Sequence, residues 1–96
     1  MIPRSIKVGR RKYNVHVGPA KRFKRAYGYI DYRPGDIYIH TVARKRSVSP
    51  SNMQETFWHE TTHAILYEMG HTLHRNEAFV TQFSKLLNQA IRSAKL

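Results

Sequence analysis

Hydrophobic and polar positions alternate with a period of two at the start of the chain. Ile6 and Val8 alternate with Ser5 and Lys7, and Tyr13, Val15 and Val17 alternate with Lys12, Asn14 and His16, with Gly9, Arg10 and Arg11 between the runs. Successive side chains of a strand point to opposite faces, so this pattern predicts a β-hairpin with one apolar face. Residues 27–32 and 37–42 are rich in aromatic and β-branched side chains, and Arg33-Pro34-Gly35-Asp36 places Pro and Gly where a type II turn needs them. A second hairpin is expected there. Between the hairpins, residues 19–26 are basic around a lone Phe23 and read as a loop or a short helix started by Pro19. Residues 41–51, polar and ending in Ser47-Val48-Ser49-Pro50-Ser51, are the one candidate linker.

Past residue 51 the period changes to that of helices. Ser51 with Gln54 three residues later resembles a capping box, and no Pro or Gly interrupts the chain until Gly70, which suits the position just past a helix end. Trp58, Thr62, Ile65, Leu66 and Met69 fall at the spacing of one buried stripe, with His59 and His63 off it. Asn76 as N-cap and Glu77 in the first turn mark a second helix, whose apolar face would be Phe79, Val80, Phe83, Leu86, Leu87, Ala90 and Ile91. The short connection from Gly70 to Arg75 turns the two helices back on each other. Strands followed by helices predict an α+β fold, and 96 residues suit a single domain. It divides into a basic β-rich half, residues 1–46, and a two-helix half, residues 51–96.

Charge sharpens this division. Residues 1–46 carry thirteen Lys and Arg against Asp31 and Asp36, whereas residues 47–96 carry four basic residues against four glutamates. The basic half would attract phosphate backbones or acidic proteins through its long-range field. With no cysteine in the chain, a disulfide scaffold, a thiolate metal site and a cysteine nucleophile are excluded. No apolar run approaches a membrane span and the first residues lack a signal-peptide core, so the expectation is a cytoplasmic protein with no membrane partner.

The candidate chemistry lies in the first helix. His59-Glu60-Thr61-Thr62-His63 is an HExxH pattern, and on a helix its two imidazoles stand one turn apart on one face, able to converge on a Zn²⁺ ion. Glu60 is then placed as general base toward water rather than as a ligand. A catalytic zinc site needs a third protein ligand from downstream. The helix carries the chain about 9 Å past His63, which puts His71 too far along the axis. His74 is better placed. Glu77, in the first turn of a returning helix, is the favoured ligand, its alternative role being interaction with the helix dipole.

The stretch Thr56-Phe57-Trp58-His59-Glu60-Thr61-Thr62-His63-Ala64-Ile65-Leu66, with Asn76-Glu77-Ala78-Phe79-Val80 downstream, resembles the gluzincin metallopeptidases, in which HExxH on one helix is completed by a Glu on the next. The Asn-Glu-Ala string also resembles the thermolysin pattern around its third ligand. Gly28-Tyr29-Ile30-Asp31 and Ile37-Tyr38-Ile39 are similar to small phage and bacterial zincins related to the ImmA/IrrE and SprT-like groups. The resemblance implies a minimal zincin: a small twisted antiparallel or mixed sheet, an active-site helix, a ligand helix and bound zinc, with the cytoplasm that of a bacterial host if the chain is phage-encoded. SprT-like proteins usually complete the site with His, a departure that bears on His74.

The activity expected from these residues is peptide hydrolysis with His59, His63 and Glu77 on zinc and Glu60 as general base. A peptide or protein substrate would add to the sheet along an edge strand containing Ile37, Tyr38, Ile39 and His40. Tyr67, His71 and His74 are candidates for stabilising the oxyanion. Two other classes stay open: a nucleic-acid-binding module whose zinc is structural, closed by His74 as fourth ligand, and an interaction protein without metal.

Overall fold

In a computed structural model describing residues 2–20 and 26–95, the period-two segments form strands as the alternation requires. Strand β1 (Ser5–Val8) pairs antiparallel with β2 (Arg11–Gly18) across a tight turn in which Gly9 has φ +62°. Strands β3 (Gly28–Asp31) and β4 (Asp36–His40) pair antiparallel around Gly35, whose φ of +79° meets the expectation of glycine late in the turn. Phe23 and its basic neighbours, residues 21–25, lie outside the described residues.

The hairpins join through a parallel pairing of β2 with β4, giving a mixed sheet of order β1-β2-β4-β3. This corrects the expectation for the substrate strand. Ile37, Tyr38, Ile39 and His40 sit on an interior strand hydrogen-bonded on both sides, and the edge is β3. The pairing on both sides is the reason: β4 lies between β2 and β3 with Ile37 and Ile39 fully covered, whereas β3, which carries Gly28 and Asp31, is only partly covered and has one side unpaired.

The expected linker contains a small hairpin, β5 (Val42–Ala43) with β6 (Arg46–Ser47). Arg44 and Lys45 form its tip with φ of 53° and 65°. A tight hairpin turn normally announces itself through Asn and Gly, and neither is present here.

Helix α1 (Pro50–Glu68) is capped by Ser49, whose Oγ accepts from the Asn52 N–H at 3.1 Å, with Pro50 in the first turn. The cap thus lies two residues before the expected Ser51, because Pro50 forces its predecessor into an extended conformation and suits the first helical position itself. At the other end Gly70, at φ +70°, donates to the Tyr67 carbonyl and His71 to that of Leu66, the paired bonds of a Schellman motif. A 3₁₀ turn (Thr72–Arg75) leads into α2 (Glu77–Ser93), capped by Asn76 as expected, with its Oδ1 accepting from the Phe79 N–H at 2.9 Å.

The helices bury faces that hydrophobicity does not announce. On α1 the covered residues include Phe57, Glu60, Thr61, His63 and Ala64, while Ile65 and Met69 of the expected stripe are exposed. On α2 the covered residues are Val80, Ser84 and Asn88, and Phe79, Phe83, Leu86 and Ile91 face solvent. Positions three, seven and eleven residues on from Glu77 are Val80, Ser84 and Asn88, so the covered face of the helix is the one that carries Glu77.

Tyr13, Val15, Ile37, Ile39, Phe57 and Ala64 make the core between sheet and α1. Tyr13 donates its hydroxyl to Glu68 at 2.5 Å, fastening the end of α1 to β2. Near the start of α1, a Cβ on Gly28 would lie 2.4 Å from the Tyr38 carbonyl oxygen and 2.6 Å from Thr56, so glycine permits the edge strand to approach the helix. No helix among the described residues is long and apolar enough to cross a membrane.

Candidate metal centre

One helical turn separates His59 from His63, and their ring centroids stand 5.0 Å apart. Glu77 reaches both from the first turn of α2: its carboxylate lies 2.6 Å from His63 Nε2 and 3.3 Å from His59 Nε2. His63 is buried, and its Nδ1 is 2.7 Å from the His74 carbonyl, which can only accept, so Nδ1 carries a proton and donates. In the neutral imidazole that leaves a lone pair on Nε2, facing a carboxylate oxygen that also offers lone pairs. A proton between the two atoms or a metal ion shared by them reconciles the pair.

Burial holds the pKa of His59 down, reinforced by the neighbouring His63 and opposed by Glu77. Its neutral, ligating form is therefore favoured. Glu60 sits beside the two histidines, 6% exposed, and burial with the Glu77 charge raises its pKa to about 8. A nearby dication would reverse that field and favour the carboxylate. One potential ligand atom from each of His59, Glu60 and His63 lies within 4.8 Å of the others, so this group could hold a metal ion. Glu77, on the rim with a side chain 67% exposed, contacts both imidazoles directly and brings a second carboxylate to them.

A cleft of about 930 Å³ opens onto these residues, walled by β3, α1, the 3₁₀ turn and the start of α2. The edge strand is thus a wall of the cleft, which the interior strand β4 is not. Of the oxyanion candidates, His74 lines the cleft, and Tyr67 and His71 are not among its lining residues. The His74 imidazole has its Nδ1 2.8 Å from the His71 carbonyl and packs edge-on against Tyr32 and Tyr67. Its contribution to the centre is its backbone carbonyl, which orients His63. His71 caps the 3₁₀ turn, its Nδ1 accepting from the Leu73 N–H, and Tyr67 stacks on Tyr32 at 4.3 Å.

Tyr32 is the cleft residue that sequence reasoning missed. Burial and the charges of Glu60 and Glu77 push its hydroxyl up to about 12, so it remains a donor throughout the neutral range. Only the fold brings the turn after β3 to the HExxH helix. The Pro-Gly turn that follows Tyr32 was the available signal, since a residue beside a rigid turn has a fixed direction.

No protein-family model matches this chain, and neither a curated protein nor a solved structure matches it.

Proposed function

We propose that this protein is a zinc-dependent peptidase with His59, His63 and Glu77 as ligands and Glu60 as general base. The observation that carries the reading is the Glu77 carboxylate spanning both imidazoles while a second, buried carboxyl, Glu60, stands next to them. Two nitrogens and a carboxylate oxygen suit zinc. Zinc held there would act as a Lewis acid on a scissile carbonyl and lower the pKa of a water.

The chain's own groups do the rest. Glu60 takes the proton of the attacking water and passes it to the leaving amine. The Tyr32 O–H, held only by a long 3.4 Å bond to the His74 carbonyl, would exchange that acceptor for the oxygen that gains charge. An extended substrate lies along β3, whose outer edge can add main-chain hydrogen bonds to a peptide. A structural zinc site would need a fourth protein ligand; the His74 ring is engaged with His71, Tyr32 and Tyr67 instead, and in this reading Glu60 serves as base rather than ligand. This favours an open position and thus catalysis.

The test is metal content and casein hydrolysis measured on the same preparations. Wild type should hold one zinc per chain and hydrolyse casein, and Glu60→Gln should keep the zinc and lose on the order of 10²–10⁴ in turnover. Undiminished hydrolysis by Glu60→Gln would remove Glu60 from the mechanism, and wild type without stoichiometric zinc would sink the whole reading.

A further inference from the structure

The sheet face turned away from α1 carries a pattern the metal centre does not use. Strand alternation places Lys7, Lys12, Asn14, His16, Tyr38 and Tyr29 on it, opposite the core residues Tyr13, Val15, Ile37 and Ile39. The register aligns His16, Tyr38 and Tyr29 across β2, β4 and β3. Their rings stack, His16 on Tyr38 at 4.8 Å and 20°, and Tyr38 on Tyr29 at 4.4 Å and 14°. The result is a ring column three strands wide, ending at His16 with its side chain half exposed.

Beside the column lies a hollow of about 160 Å³ bordered by Gly18, Pro19 and His40, and a Cβ on Gly18 would meet nothing within 4 Å. Beyond that end of the sheet the β5–β6 hairpin presents Arg44, Lys45 and Arg46, all exposed. Arg44 and Lys45 hold left-handed backbone angles that residues with side chains avoid, so the turn keeps two cations where glycine would be easier. Carboxylates lie only on the other side of the column, at Asp31 and Asp36, and Asp36 is paired with His16 at 2.8 Å. From the rings toward the hairpin, residues 16–20 and 38–49 contain no acidic residue.

We propose that this face binds single-stranded nucleic acid, with bases stacked at the ring column and its hollow and phosphates on Arg44, Lys45 and Arg46. Every base has a face to stack at the end of the column or over its hollow, and the exposed cations of the β5–β6 hairpin suit a phosphate backbone. A duplex hides its base faces and would meet only the charges. Tyr29 also borders the metal cleft, but His16, Tyr38 and the hairpin cations do not line it, and the inference does not depend on peptidase activity.

Fluorescence anisotropy with a labelled oligothymidylate of about 15 nucleotides and a duplex of equal length, between about 50 and 200 mM salt, tests it. The single strand should bind more tightly than the duplex, and chelator should leave binding unchanged. Tyr29→Leu, which keeps a bulky apolar residue on the strand, should weaken the single strand about tenfold without changing the salt slope. Arg44→Gly with Lys45→Gly suits the turn's backbone, so circular dichroism should be unaltered while the salt slope falls by about 1.4. Equal affinity for duplex and single strand with no effect of Tyr29→Leu would overturn the proposal in favour of undirected charge attraction. Displacement by polyglutamate as readily as by unlabelled oligonucleotide would point to an acidic protein. Absence of binding at the lowest salt, or its loss on chelation, would also overturn it.

Discussion

Through the middle of the sheet hydrophobicity and burial agree: Tyr13, Val15, Ile37 and Ile39 point inward, and Lys12, Asn14 and His16 point out, the exceptions lying at one end, where Val17 is exposed and His40 is buried. In α2 they disagree, since Ser84 and Asn88 are covered while Phe83 and Leu86 are exposed. Side-chain parity in a strand is local, so once one residue points inward its neighbours are fixed. A helix can rotate about its axis, and its rotation is set by whatever anchors it. Here the covered face of α2 holds one apolar residue, Val80, in line with Glu77, whose carboxylate faces two imidazoles. The difference teaches that the covered face of α2 is the one that carries the site's carboxylate, not the most apolar one.

The widest separation between the regions should appear on truncation. Ile37→Ala should cost about 2–5 kcal/mol, because a fully covered side chain leaves a cavity among tightly packed neighbours. Leu86→Ala, by contrast, should change stability by no more than about 0.5 kcal/mol, its side chain being 59% exposed. Urea unfolding of the two variants decides it, and a comparable loss in both would mean that α2 is covered in solution.

The anchor itself can be removed. Glu77→Ala should weaken zinc binding by about 10²-fold, roughly 2.7 kcal/mol, in a competition titration with a chromophoric chelator. His71→Ala should leave affinity unchanged. His74→Ala retains the carbonyl that holds His63, so its effect should be much smaller than that of Glu77→Ala. Loss of zinc from His74→Ala with retention in Glu77→Ala would reverse the ligand assignment.

These contrasts mark what the sequence could disclose. The hairpins were legible from alternation, and Asn76 and Gly70 from the chemistry of helix ends. The HExxH spacing placed His59, Glu60 and His63 on one helix, and chain length alone favoured Glu77 over His71. The position of β4 inside the sheet was not legible, because either side of a hairpin can pair with a third strand and only the packed core chooses. Tyr32 escaped for a related reason: its approach to Glu60 and Glu77 depends on the sheet order and on close packing at Gly28. The rotation of α2 was hidden because an apolar stripe reports which face prefers burial, not which face another anchor will present.

Acidity should distinguish the halves next. With zinc removed, Glu60 in the folded chain keeps its proton up to about pH 8, whereas the unfolded chain releases it near 4.5. Its contribution to stability is therefore fully present below the lower value and is lost as pH rises through the higher one. The slope between them is about 1.4 kcal/mol per pH unit. Chelated wild type should lose stability relative to chelated Glu60→Gln across this window, and zinc should abolish the difference by holding the carboxyl ionised. Parallel pH profiles for the two chelated proteins would show that Glu60 is not desolvated.

The smallest effect belongs to the basic half. Lys45 sits at φ 65°, where a Cβ crowds the following carbonyl, and it is exposed at the tip of a two-residue turn. Glycine removes the crowding, worth about 1–2 kcal/mol, but widens the unfolded ensemble by about 0.4–1 kcal/mol. Lys45→Gly should consequently stabilise the chain by about 0.5 kcal/mol, a shift of a few degrees in the melting temperature of a domain this size. A stabilising substitution that removes a cation would mean the lysine is kept for something other than folding. Destabilisation by Lys45→Gly would instead mean that its side chain supports the hairpin, and the strained turn would then carry no functional implication.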